Sequence, residues 1–97
     1  MKEVNPKTRE LFLKAFGRLI KRKRLAKGLT QKELASRCNS TREKISRIER
    51  GVYDFKFSAL ITLSKGLDMQ VSELFDFEIP EYLIESFWMD SEKGRKI

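Results

Sequence analysis

Ninety-seven residues, 40% apolar and 36% charged, amount to one small soluble domain with a single core. The formal charge is +7, with no histidine and one cysteine, which excludes the common zinc sites and any internal disulfide. No uncharged apolar run approaches the roughly 20 residues needed to cross a bilayer, so no membrane partner is expected.

The charge is unevenly spread. Residues 1–75 hold 18 Lys/Arg against 8 Asp/Glu, whereas residues 76–97 hold 3 against 6. A basic body suggests a polyanionic partner, most simply nucleic acid, although a solvated surface that keeps the protein soluble fits the charge equally well. Met1 to Pro6 has no apolar h-region, so it does not read as a signal peptide, and the expected location is the cytoplasm.

Asn5-Pro6 is a helix start, with Asn as cap and Pro at the first helical position. The helix is expected to run to Lys27 and stop at Gly28, with Phe12, Phe16, Leu19, Ile20 and Ala26 on its apolar side. Arg18, Lys21, Arg22, Lys23, Arg24 and Lys27 crowd its last three turns, where positive charge suits the helix dipole. A membrane-surface helix or a localisation signal also carries such a run, but a surface-lying helix wants a wide apolar face opposite the bases.

The next stretch, Leu29 to Gly51, writes two short helices, each with its own start signal. Thr30 and Glu33 form a capping box, behind which Leu34, Ala35 and Cys38 fall on one side. Cys38 there is a buried core thiol or a reactive, partner-binding one. Asn39 interrupts, being a residue that tolerates the left-handed conformation of a tight turn. Ser40 or Thr41 caps the second helix, Ile45 and Ile48 supply its buried stripe, and Gly51 ends it. Two capped helices joined by about three residues are the helix-turn-helix signature. The second helix exposes Arg42, Glu43, Ser46, Arg47 and Arg50, all able to hydrogen-bond a base edge or a phosphate. Lys44 and Arg50 are phosphate candidates.

A fourth helix is expected from about Phe57 to Leu67, with Leu60, Leu63 and Leu67 inward, and a short fifth from about Val71 to Phe75. In the acidic remainder, Pro80 can open a sixth helix carrying Leu83, Ile84, Phe87 and Trp88 as an apolar patch. That segment covers the domain's own core, makes a dimer contact or docks another protein. Glu92 to Lys96 reads as a frayed end.

From about Phe16 to Phe75 the chain resembles the repressor-like helix-turn-helix regulators of phage and bacteria (the XRE type). The resemblance rests on Arg24, Gly28-Leu29-Thr30-Gln31, Glu33-Leu34-Ala35, Ile45-Ser46, Ile48-Glu49-Arg50-Gly51, Leu63…Leu67 and Glu73-Leu74-Phe75, in order and at the family's spacings. It implies an all-α, compact five-helix DNA-binding domain over residues 6–76, with a C-terminal extension over 77–97. It also implies a structural ion pair between Arg24 and Glu49. Thr41, Arg42, Glu43 and Arg47 would face the bases, although a capping box at Ser40 would use the same Glu43 carboxylate. Gln31 would hold a phosphate, and Tyr53 and Lys56 stand where relatives often touch the backbone. The chain departs from the family at Lys23, where leucine is usual, and at Phe55-Lys56-Phe57, where Pro-Ser-Leu is usual; a helix cap is thereby lost.

The resemblance implies a sequence-specific regulator of double-stranded DNA acting as a homodimer, more readily a repressor than an activator. The antitoxin half of a toxin–antitoxin pair, or a protein-interaction module that has kept the fold, are the alternatives. With no histidine, Gly-rich phosphate loop or paired carboxylates in a plausible cleft, neither catalysis nor a cofactor is expected.

Overall fold

Local start and stop signals divide the chain into helices, and burial decides how they stack. In the computed structural model the described residues are 4–77. Four α-helices, α1 (Pro6–Ala26), α2 (Gln31–Arg37), α3 (Arg42–Arg50) and α4 (Phe57–Gly66), precede a 3-10 turn, Val71–Phe75.

Asn5 caps α1 by accepting from the Lys7 amide at 2.9 Å, and Pro6 takes the first helical place. The helix buries Ala15, Phe16, Leu19 and Ile20 and ends at Ala26, with Lys27 as its C-cap just before left-handed Gly28. Ala26 is exposed, contrary to the apolar side written for it, because the inward-facing stripe of α1 ends at Arg24.

The capping box of α2 is closed from both sides: Thr30 Oγ1 accepts from the Glu33 amide at 3.0 Å and Glu33 Oε1 accepts from the Thr30 amide at 2.8 Å. These bonds hold the Glu33 carboxyl below its usual pKa, the backbone bond from Thr30 contributing most. Asn39 turns left-handed at φ 53°, and the Ser40 amide donates back to the Ala35 carbonyl at 2.8 Å. Thr41, not Ser40, then caps α3, accepting from the Lys44 amide at 3.2 Å.

The segment expected as a fifth helix is a 3-10 turn instead. Five residues close few i→i+4 bonds, and the tighter spacing stacks positions three apart, which turns Val71 and Leu74 the same way. Leu74 is fully buried, and Phe75 is left pointing out. A sixth helix falls outside the described residues. Leu34, Ile45, Leu63 and Leu67 form the centre of the core. Phe55, in the segment that departs from the family, closes one side of it against Phe16 with ring centroids 4.9 Å apart.

The helix-turn-helix is set by the way α1 crosses α3. A Cβ on Gly17 would sit 2.5 Å from the Glu49 carbonyl oxygen and closer still to that of Ile48, so only glycine admits this approach. One turn further, Gly51 combines a φ of 71° with the same crowding, its missing Cβ lying 2.6 Å from Lys14 Cα.

Candidate nucleic-acid interface

Arg24, at the end of α1, is the anchor of the site. Its Nε donates to Glu49 Oε2 at 2.6 Å and its Nη2 to Glu49 Oε1 at 3.0 Å, a bidentate pair with both side chains almost wholly buried. The remaining Nη1 donates to the Leu29 carbonyl oxygen at 2.8 Å. One guanidinium therefore fixes α1, the start of α2 and the end of α3 together. The bond to Glu49 raises the Arg24 pKa further, outweighing the opposing effect of burial.

Gln31 extends this arrangement to the surface. Its Nε2 donates to Glu49 Oε1 at 3.0 Å, and its Oε1 accepts from Arg42 Nη1 at 3.2 Å. A path of side-chain bonds thus runs from buried Arg24 through Glu49 and Gln31 to exposed Arg42. No buried side-chain nitrogen or oxygen among the described residues lacks a partner.

α3 turns Ile45 and Ile48 inward and leaves Arg42, Glu43, Lys44, Arg47 and Arg50 exposed on its other sides. Arg47 donates to Glu43 at 2.9 Å, one turn back, so the Glu43 carboxylate meets Arg47 and not the Ser40 amide. Arg50 leans on Ser46 Oγ at 3.3 Å. Thr41 is exposed, its hydroxyl engaged as the cap. Tyr53 is half-buried against the core and borders, with Lys44, Asn39 and Cys38, a cavity of about 150 Å³. Lys56 is exposed at the start of α4, where no side chain caps the helix.

Of the site residues expected from the sequence, the structure links Arg24, Glu49, Gln31 and Arg42 in one network and Glu43 with Arg47 in another. Lys44 and Tyr53 share the cavity rim, and Lys56 stands apart from both networks. Gly17 shapes the site although neither motif nor periodicity singles it out. One signal does mark it: glycine inside a helix costs about 1 kcal/mol against alanine, which points to a close backbone approach. Among the described residues no group of three or more His, Cys, Asp or Glu could hold a metal, and no helix is long and apolar enough to cross a membrane.

The helix-turn-helix family model matches residues 20–74, more than half of the chain. The chain belongs to this helix-turn-helix family. Among curated proteins, this helix-turn-helix chain is similar to the control protein C.BamHI of Bacillus amyloliquefaciens, 36% identical over 63 residues, which are 64% of this chain and 78% of that one. Among solved structures it is similar to the restriction-modification controller protein C.AhdI of Aeromonas hydrophila. That likeness has a TM-score of 0.66 at 32% identity and covers 68% of this chain and 96% of that one. It is also similar to the controller protein C.Esp1396I, solved as a tetramer in complex with its natural 35 base-pair operator. There the TM-score is 0.61 at 35% identity, over 76% of this chain and 91% of that one.

Proposed function

We propose that this chain is a sequence-specific transcriptional regulator that binds double-stranded operator DNA as a homodimer, a repressor of the restriction-modification controller kind. The observation that carries the reading is the outer surface of α3. Five charged side chains project from a helix whose far end is locked to α1 by a buried ion pair, which gives them a fixed base. The operator complex of C.Esp1396I supports the same reading.

In the helix-turn-helix docking mode, α3 enters the major groove with its amino-terminal end against the bases. Arg42 and Arg47 are the readers, each able to take a guanine bidentately, while Thr41 and Glu43 offer a methyl to thymine and an acceptor to cytosine. Gln31, at the start of α2, holds a phosphate through whatever capacity its two side-chain bonds leave, and Lys44, Arg50, Tyr53 and Lys56 add phosphate contacts that position without reading. Residues 6–76 form the DNA-binding domain and residues 77–97 an extension. A second copy is needed because one recognition helix covers few base pairs; half-sites about 34 Å apart suit a dimer. Phe57 and Ile61, 67% and 47% exposed one turn apart on α4, offer an apolar face for that second copy.

The test is titration of labelled duplex from the region just upstream of the chain's own gene, against random duplex, at several salt concentrations. Tight, salt-sensitive binding with a large preference for the upstream DNA is expected. Absence of binding even at low salt would overturn the reading.

A further inference from the structure

The outer face of α1 carries a second cationic surface, remote from the sequence-reading role given to α3. Arg18, Lys21 and Arg22 are exposed there, on the side of the helix opposite Phe16 and Ile20, and none of them forms an ion pair with a carboxylate among the described residues. Leu25, 56% exposed, lies in the same stripe. The chain leaves the domain beside it. Asp76 and Phe77 border a depression with Ala15, Arg18 and Arg22, and the Phe77 ring meets Phe16 edge-on at 6.3 Å.

The sequence beyond Phe77 has the complementary chemistry. Residues 78–92 contain Glu78, Glu81, Glu85, Asp90 and Glu92, no Lys or Arg, and apolar side chains between the acids, Phe87 and Trp88 among them. We propose that this acidic, aromatic segment docks in cis on the outer face of α1, setting Glu78, Glu81 and Glu85 against Arg18, Lys21 and Arg22. Reach is sufficient: at about 3.3 Å per extended residue, residues 78–85 cover roughly 26 Å. Lys14 to Leu25 on α1 is only about 17 Å at roughly 1.5 Å per residue. Exposed ion pairs are individually weak, but a short tether holds the acids at an effective concentration in the millimolar range. The apolar side chains of the segment add the burial of Leu25, which a purely ionic partner would leave bare. Docked this way, the segment screens a basic face to which no sequence-reading role is given and leaves α3 open to DNA. The inference does not depend on the DNA-binding reading, and its primary readouts, coupling and Trp88 emission, are taken without DNA.

In the full-length chain, zero-length carbodiimide coupling with mass-spectrometric mapping reports which lysines lie against which carboxylates. Coupling of Lys21 or Lys14 to Glu78, Glu81 or Glu85 is expected in the species of monomer mass. It should fall about 5-fold in Arg18→Gln/Arg22→Gln and in high salt, where the Debye length shrinks. Both arginines are exposed, so the variant keeps the fold. Trp88, the only tryptophan in the sequence, gives a second readout. Its emission should shift to the red, and its quenching by acrylamide increase, in the same variant. Three results would each overturn the proposal: no coupling between these groups, coupling only in species of twice the mass, or a Trp88 signal indifferent to Arg18→Gln/Arg22→Gln. A variant that loses affinity for random duplex with coupling unchanged would do so too, and would assign the face to DNA.

Discussion

Gln31 donates its side-chain amide to the Glu49 carboxylate at 3.0 Å, although the two residues lie 18 positions apart at the start of α2 and the end of α3. The opposite end of the same amide accepts from Arg42. Its orientation is forced, since reversing it would set an oxygen against a carboxylate and an NH2 against a guanidinium. Gln31→Ala should therefore reduce stability by about 1 kcal/mol, the net worth of a typical hydrogen bond. It should also free Arg42 to adopt other rotamers. Gln31→Glu should be worse, placing like charges together. Urea unfolding measures the first effect. For the second, a double-mutant cycle of Gln31→Ala with Arg42→Ala on operator DNA should be non-additive.

The Arg24–Glu49 pair makes a sharper prediction. Both side chains are buried, so Arg24→Ala leaves an uncompensated carboxylate and should cost about 3–5 kcal/mol, as should Glu49→Ala in the opposite sense. Replacing both together by apolar residues of similar size should restore much of the loss. Denaturant unfolding of the two single variants and the double variant checks the order. Full stability in Arg24→Ala with only DNA binding lost would contradict the structural role.

Gly17→Ala separates helix propensity from packing. Alanine favours a helix over glycine by about 1 kcal/mol, but here its methyl would enter the carbonyl groups of Ile48 and Glu49. Overpacking should win, with a net loss of roughly 1–3 kcal/mol and a lower thermal midpoint. The same push on α3 should weaken operator binding beyond what the stability loss accounts for.

Much of the architecture is legible because its signals are local. Asn5-Pro6, Thr30 with Glu33, Asn39, and Gly51 each act within a few residues of themselves, and each begins or ends an element in the structure. The exposed side of α3 comes in the same way from the spacing of Ile45 and Ile48. What depends on helices meeting is not legible. The exposure of Ala26, the bonds of Gln31 and the crowding at Gly17 all arise where helices pack together, and no periodicity encodes that packing. Ser40 and Thr41 are equal candidates for the cap of α3 by residue type. Only the turn geometry, with Ser40 bonded back to Ala35, separates them. The 3-10 form of residues 71–75 is likewise a compromise between a short segment and the depth at which Leu74 must sit.

Two side chains on α3 should divide reading from holding. Arg47→Ala should cost about 1–3 kcal/mol on operator DNA and relax one base position, whereas Lys44→Ala should weaken all sequences alike and reduce the salt slope by about 1. Because Glu43 holds Arg47 at 2.9 Å in the free protein, Glu43→Ala should also alter preference at the Arg47 position. Binding to operator variants carrying each single base change distinguishes the cases. Equal losses on operator and random DNA for Arg47→Ala would refute its reading role.

Cys38 is buried beside Leu34 and Gly66, with its sulfur 3.5 Å from the Thr62 carbonyl oxygen, and burial pushes the thiol above its ordinary value of 9.0. A pKa raised in the folded state means that the thiol's contribution is complete below the unfolded value and is lost as pH rises through the folded one. Wild-type stability minus that of Cys38→Ala should therefore be flat below about pH 8 and decline in alkali. Thiol reagents should label Cys38 slowly at neutral pH, at a rate that rises with denaturant.

The three segments joined by Arg24 limit how the reading helix can be moved. A graft of residues 29–51 into another scaffold would carry Glu49 without its cation and Leu29 without its donor. The carboxylate would keep only its bond from Gln31, and α3 would lose the bidentate pair that ties it to α1. Specificity in this chain is thus not portable as a peptide. Any attempt to transplant it must begin no later than Gly17, so that the helix that sets the distance travels with the helix that reads.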